Sequence, residues 1–458
     1  MPDKERSDND CPNCRRLREQ LRRTTRLLEH ATDRLQRLER RVEELEREGK
    51  RQAAPFRKPQ KKRKKNPRKP GRKDGHKASY RKPPPAVDEY LQVPLDECPN
   101  CGGDVEQVRS IEQIIEDIPP VRVHRLHLTT YRGHCSQCGP VASTHPAQVS
   151  EATGAAGTHM GKRALALAAA FNKQFGLTMR KTTRVLDEYF GLKISPGGLS
   201  QALNRIAKKL ADPFEQLCRS VRNSDFIHAD ETGWWVDGKS AWLWTFTNPE
   251  MTLYTIDRRN QQVIRRILGD DYDGVLVSDC LNIYDPHPGR KSKCCAHHLR
   301  AISEALKQSP QSDFLRDIRR FFHTAIMLDR MRDEIDAARY HASVAGLDDT
   351  LDTLLGPTRK DRAERRIANR LRKQRPHLLT FLDHPGVDPT NNLAERQLRP
   401  AVIARKLSCG NKTRAGAETF SVLVSVAATC RQQSRSFTDF VAECLSLQRS
   451  PPQLLPAR

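Results

Sequence analysis

The chain of 458 residues contains no apolar run approaching the ~20 residues that cross a bilayer. Its first ten residues, MPDKERSDND, lack the apolar stretch of a secretory leader. Acids are outnumbered, with 56 Asp and Glu against 80 Lys and Arg, a formal net charge of +24. The first two absences argue against a membrane-spanning or secreted protein and predict a cytoplasmic one with no membrane partner. The deficit of acid points to a polyanionic partner, most often nucleic acid. Thirteen cysteines in a reducing compartment do not build a disulfide framework, so closely spaced pairs point to metal. The length corresponds to roughly two to four structural units.

Within residues 1–50, Leu17, Leu21, Thr24, Leu28, Ala31, Leu35, Leu38, Val42 and Leu45 recur at steps of four and three. That seam predicts a coiled coil and a homo-oligomer. Residues 51–89 change character. From Arg51 to Lys82 there are fifteen Lys or Arg and one acid, Asp74. This is a basic disordered linker, either a solvated tether that touches phosphates or a minor-groove arm around Pro70-Gly71-Arg72.

Residues 90–145 hold Cys98-Pro-Asn-Cys101 and Cys135-Ser-Gln-Cys138, each followed by glycine. Two such knuckles match a tetrahedral Zn²⁺ site of Cys98, Cys101, Cys135 and Cys138. Between them, residues 113–131 read as strand, Pro119-Pro120 turn and strand. The pair Cys11 and Cys14 has no second half nearby, and its role stays open. Residues 155–222 read as helices, with Ser195 capping a helix that has Pro196 at its first position. They form either a DNA-binding helix-turn-helix, offering Ser200, Asn204 and Arg205 to a groove, or an ordinary helical hairpin.

From residue 223 the pattern is α/β and runs to 445, with a charged helical insertion at about 301–389 and a tail at 446–458. DFIHAD reads as a strand ending at Asp230. SAWLWTFT and MTLYTID are two more strands, QQVIRRIL is a helix, and GVLVSD is a buried strand ending at Asp279. A third acid, Glu395, lies on a helix opened by Thr390-Asn391-Asn392, read as its cap. Three carboxylates of this kind suit two Mg²⁺ ions in phosphoryl transfer. Arg396, Arg399, Arg405 and Lys406 lie near Glu395 and would contact phosphate or solvent. Trp242 and Trp244 share a strand face, which favours core over base stacking. His297 and Arg300 make an HxxR spacing with Tyr340 downstream, the weak signature of a tyrosine recombinase that would use no metal.

These motifs, taken in order, resemble the insertion-sequence-66 family of DDE transposases nearly end to end. The resemblance rests on the coiled coil, the PGRK linker and the two CxxCG knuckles. It continues through HADETGWWV around Asp230, VSDCLNIYD around Asp279, Cys294-Cys295-Ala296-His297, and TNNLAERQLRP around Glu395. It implies a multidomain α/β chain with a ribonuclease-H-like core, in which Asp230, Asp279 and Glu395 hold Mg²⁺ for cutting and joining element ends. It further implies element-end and target DNA as partners, small accessory proteins of the same element, and a nucleoid-associated bacterial protein. Cys295 stands where that family has a bulky aromatic. Cys294 and His297 read as packing or as helpers of the acids. The alternative function is a DNA-binding zinc-finger regulator or an inactive transposase remnant.

Overall fold

The computed structural model describes residues 80–150, 159–447 and 452–455, with isolated positions 13, 16, 19, 20, 23–25, 75 and 77. The isolated positions before 26 are helical and exposed. The heptad seam apart from Thr24, the basic run 51–74, and Cys11 and Cys14 lie outside the described residues. The chain divides into two units, Met1–Lys82 and Pro83–Arg458. The second unit contains both sheets and all three acids.

Its centre is a five-stranded mixed sheet. β3 (Phe226–Val236), β4 (Lys239–Thr247) and β5 (Thr252–Asp257) form an antiparallel meander, and β6 (Val275–Ser278) and β7 (Arg290–Lys293) add in parallel, in the order β5-β4-β3-β6-β7. Asp237 and Gly238 join β3 to β4, both at positive φ, 53° and 69°. That is the primed two-residue turn whose twist matches the flanking strands. β1 (Arg132–Cys135) and β2 (Gly139–Ala142) form a separate hairpin in the cysteine-rich segment.

Alternation along the strands sends side chains to both faces. Ile227, Ala229, Trp244, Phe246, Leu253 and Leu276 enter one core. Four N-terminal helices share it: α1 (Lys162–Ala169), α2 (Met179–Phe190), α3 (Pro196–Lys209) and α4 (Ala211–Arg222). So do α5 (Gln261–Leu268) and the C-terminal helices α12 (Arg414–Gln432) and α13 (Phe437–Cys444). The helices of 162–222 are therefore continuous in packing with the sheet. Trp234, Leu243, Tyr254 and Ile256 face α11 (Asn392–Ser408) and α12 in a second core. Val275 and Val277 face a third, built with the insertion helices α6 (Cys295–Gln308), α7 (Asp313–Arg330), α8 (Ala337–Leu355), α9 (Arg362–Gln374) and α10 (Thr380–Asp383). Each fully buried Leu, Ile or Val contributes about 1.5–3 kcal/mol.

The β5 edge is covered rather than open. Ser425 Oγ of α12 accepts Tyr254 N at 2.8 Å, and Thr429 Oγ1 accepts Thr252 N at 3.1 Å. Hydroxyls on a helix thus occupy donors that an edge strand would otherwise offer to another chain.

The cysteine-rich segment differs. Each CxxC forms its knuckle: Gly102 N donates to Cys98 O at 2.8 Å, and Gly102 and Gly139 take the positive φ the turns need, 71° and 75°. The strand–turn–strand expected over 113–131 does not form, because residues 105–131 contain neither helix nor strand. The reason is burial. Ile111, Ile114, Ile115, Ile118, Val121 and Leu126 are exposed, so no apolar layer orders the backbone, and Pro119-Pro120 offers no N–H to a ladder.

Candidate active site

β3 carries Asp230 in its middle, not at its end. The GWWV stretch continues the strand beyond Asp230, because it pairs with β4 as far as Val236 opposite Lys239. On the other side β3 pairs with β6 in parallel, with His228 opposite Val277. Two residues further on, the same register brings Asp230 beside Asp279, which leaves the C-terminal end of β6. Period-2 alternation puts both on the sheet face that α11 crosses. Glu395 lies in the first turn of that helix. The three acids are half-buried.

Backbone amides orient the two aspartates. Asp230 Oδ1 accepts Glu231 N at 2.8 Å, and Asp279 Oδ1 accepts Leu281 N at 2.9 Å. Burial pushes the Asp230 carboxyl up to about 7; the Glu231 amide opposes this, and the negative charges of Glu231, Asp279 and Glu395 reinforce it. His297, in the first turn of α6, places Nε2 3.9 Å from Glu395 Oε1. Burial, then Arg300, hold this imidazole below its ordinary value, and its buried Nδ1 has no hydrogen-bond partner among the described residues.

Asn391 ties these parts together. Its side chain, expected to cap α11, makes no cap bond. Instead Nδ2 donates to Ala229 O at 2.8 Å, and Oδ1 lies 3.2 Å from His228 Nδ1. Its backbone N donates to the Cys294 thiol at 3.1 Å, and its carbonyl accepts Glu395 N at 3.2 Å. A fully buried side chain thus joins the strand residue before Asp230 to the turn that carries Glu395. Cys294 serves that junction as an acceptor. Burial drives His228 down to about 4, so its ring is neutral at pH 7.

Sequence reasoning singles out none of Lys293, Asp285, Glu231, Tyr284 and Arg259 as site residues. Lys293 of β7, fully buried, reaches Asp285 Oδ1 at 3.0 Å and Asp279 O at 3.3 Å. Burial works against the Asp285 charge, yet hydrogen bonds from Lys293 and Lys373 hold its carboxyl below the usual range. On the opposite sheet face, Glu231 pairs with Arg259 at 2.8 Å and accepts the Tyr284 hydroxyl. Arg259 in turn lies over the Trp242 ring at 4.0 Å. These contacts pin the turn after Asp279 to β3. The sequence signal for them is the density of polar residues in DCLNIYD and HADET.

Other expected residues fall elsewhere. Arg405 is not a free phosphate contact: it donates to Gly233 O and lies 3.2 Å from Thr232 Oγ1, bracing α11 on β3, because its position on that helix points inward. Arg396 and Arg399 are exposed. Trp244 is buried and Trp242 half-buried on one face, as core. Tyr340 is buried in the insertion core, donating to Leu382 O at 3.0 Å, which removes it from the position of a nucleophile. α2, the turn through Gly191 and α3 form a helix–turn–helix shape. Ser195 caps α3 at Gly198 N, 3.0 Å away. Ser200 and Arg205 are exposed and Asn204 is half-buried.

Among the described residues no three His, Cys, Asp or Glu side chains are gathered closely enough to hold an ion. Cys98, Cys101, Cys135 and Cys138 are therefore two half-sites rather than the expected four-cysteine cluster, and Asp230, Asp279 and Glu395 likewise share a sheet face without closing on one ion. Each knuckle closes through bonds inside its own turn, and no paired backbone between them draws the halves together. The first cysteine of each pair nevertheless favours the thiolate. The backbone N–H of Asn100, then of Cys101, lowers Cys98, and the N–H of Cys138, then of Gln137, lowers Cys135.

The model of the family described as "Transposase IS66 family" matches residues 157–419. The chain belongs to this family of transposases. The match spans all three acids of the IS66 core and the insertion between the second and third. Among relatives, the chain is 24% identical over 414 residues to the uncharacterized protein y4hP of Sinorhizobium fredii, covering 78% of this chain and 71% of that protein. It is 23% identical over 305 residues to the uncharacterized protein y4qI of the same organism, covering 56% of this chain and about half, 54%, of that one. Among the described residues no helix is long and apolar enough to cross a membrane.

Proposed function

We propose that this transposase cuts and joins DNA at the ends of its element through a DDE site of Asp230, Asp279 and Glu395, on a ribonuclease-H-like core. One observation carries the reading. Neighbouring parallel strands bring two aspartates into register beneath a helix that supplies a glutamate, and burial, reinforced by the neighbouring acids, raises Asp230 toward neutrality. Half-buried carboxylates without a cationic partner suit a divalent cation, and their hard oxygen donors fit Mg²⁺. Asp230, Asp279 and Glu395 would hold such a cation, which would supply activation of the attacking oxygen and offset charge on the leaving one. The protein's own part is placement. Asn391 sets the distance between the Asp230 strand and the Glu395 turn. The Lys293–Asp285 pair fixes the loop behind Asp279. Neutral His297 stands beside Glu395, where it accepts or donates a hydrogen bond without adding charge. The two cysteine knuckles fit a structural Zn²⁺ as half-sites, and closing them on one ion would order residues 104–131.

The deciding experiment mixes the full-length protein with labelled DNA carrying the ends of its element, with and without Mg²⁺. Cleavage at the ends that needs the metal is expected. Binding without any cleavage would leave a DNA-binding regulator or an inactive remnant. Cleavage with protein covalently attached to DNA would replace the acids with a nucleophilic side chain.

A further inference from the structure

The insertion carries an arginine hollow that the acidic site does not use. Arg362, Arg365, Arg366 and Asn369 of α9, with Gln308 at the end of α6, line an open depression of about 540 Å³. The spacing i, i+3, i+4 and i+7 puts the four α9 residues on one face. The opposite face buries Ala363, Ile367, Ala368 and Leu371 in the insertion core. The helix is thus anchored by its apolar side and offers guanidinium and amide donors outward.

The arginines are exposed, and among the described residues none of the three is in an ion pair. The acids closest in sequence are committed elsewhere. Glu364 accepts the Ser312 hydroxyl at 2.5 Å, and Asp361 caps α9 at Glu364 N, 2.9 Å, while accepting Ser309 Oγ at 3.0 Å. Three like charges held together without a counter-charge repel one another. By contrast Arg372 and Arg375, later on the same segment, are used internally on Leu355 O and Asp352. The outward cluster therefore has the composition of an anion receptor: planar forked donors and neutral amides, with no apolar residue among those that line it.

The same helix reaches the active site from its other end. Lys373 donates to Asn282 Oδ1 at 2.9 Å and Gln374 to Cys280 O at 3.3 Å, both in the loop that follows Asp279. An anion bound in the hollow is consequently held at a fixed offset from the second aspartate. Arg362 and Arg366 are one helical turn apart, about 6 Å of rise, comparable with the step between neighbouring phosphates of one strand.

Resting on the transposase reading above, we propose that the Arg362–Arg365–Arg366 hollow grips the phosphate backbone of duplex DNA and sets its register on the acidic site. Contacts of this kind position DNA and carry no base specificity. The shared chemistry is phosphate, so the test separates backbone from free anion and from an acidic protein.

The test uses full-length protein and a short duplex of unrelated sequence, with affinity measured against salt. R362Q/R365Q/R366Q should flatten the slope of log affinity against log salt by about two to three, near 0.9 per lost phosphate contact. R362K/R365K/R366K should restore most of that slope, which separates lost charge from lost fold. Unchanged slope in the Gln variant, with wild type binding DNA normally, overturns the hollow alone. Wild type that binds no DNA overturns the transposase reading as well. Inorganic phosphate that raises the melting temperature of wild type but not of the Gln variant, with equal duplex slopes, would make this a small-anion site. Equal duplex slopes combined with lost binding to an acidic polypeptide would make it a protein surface. Either result would overturn the proposal.

Discussion

The catalytic unit and the cysteine-rich segment both carry clear sequence patterns, and they fold by different means. In the catalytic unit, alternating strands meet three apolar cores, and Asn391 ties the acidic site to partners far along the chain. In residues 90–145 the regular parts are two knuckles and one hairpin, held by bonds that span at most twelve residues, while a row of isoleucines stays exposed. Short-range hydrogen bonds are enough to shape a turn. They do not order a segment of nearly thirty residues that has no layer to bury against. What such a segment needs is an added constraint, and two cysteine pairs are suited to receive one.

The largest effect tests the better-packed side of the contrast. Asp230→Asn, Asp279→Asn and Glu395→Gln should each lower strand cleavage by roughly three orders of magnitude or more, about 4 kcal/mol of transition-state stabilisation. DNA affinity should change little, since it comes from basic residues elsewhere. Gel assays of cleavage and of binding on the same preparation check this. An Asp279→Asn protein that cuts at the wild-type rate would end the DDE reading.

The next effect tests the other side. Native protein should contain one zinc per chain, and chelation should expose residues 90–145 to protease while residues 159–447 stay protected. Cys98→Ser should do the same without chelator. Metal analysis that finds no zinc would mean the knuckles serve another purpose.

Asn391→Ala should destabilise the protein by about 2–3 kcal/mol, because it leaves Ala229 O and His228 without partners in a buried place. It should also slow cleavage by loosening Glu395 against Asp230. Urea midpoints and cleavage rates measure the two effects. Full stability with full activity would reduce Asn391 to packing.

The legibility of the sequence divides along the same line. GVLVSD is legible as a buried strand delivering Asp279, because an apolar run with β-branched residues has one simple reading. The extension of β3 beyond Asp230 departs from the expected strand end. Asp237-Gly238 is the hairpin signal for it, since a two-residue turn there demands paired strands on both sides. Asn391, Lys293 and Glu231 are not legible as connectors. The Asn391 partners on β3 lie 162 and 163 residues away in sequence, and no local period reports such a contact. The cysteine spacing is legible in each half and silent on whether the halves meet.

The smallest effect concerns charge rather than chemistry. The Asp230 carboxyl is raised to about 7 in the folded protein, first by burial and then by the acids around it. Its unfolded value is about 3.9. Below about pH 4 both states are protonated, and the group contributes nothing to pH dependence. As pH rises from there to about 7, the unfolded chain releases its proton first, so the folded state is progressively penalised. Above about 7 the whole penalty applies. Asp230→Asn removes it. In the presence of chelator the Asn variant should therefore be more stable than wild type at pH about 8, by about 1–2 kcal/mol, with a smaller gain at pH about 5. Divalent cation should shrink that gain by stabilising the wild type and not the variant. Urea midpoints at the two pH values, with and without Mg²⁺, give the answer. An Asn variant less stable than wild type at the higher pH would mean that Asp230 is held by bonds that outweigh the repulsion, and that the acids do not form a single crowded site.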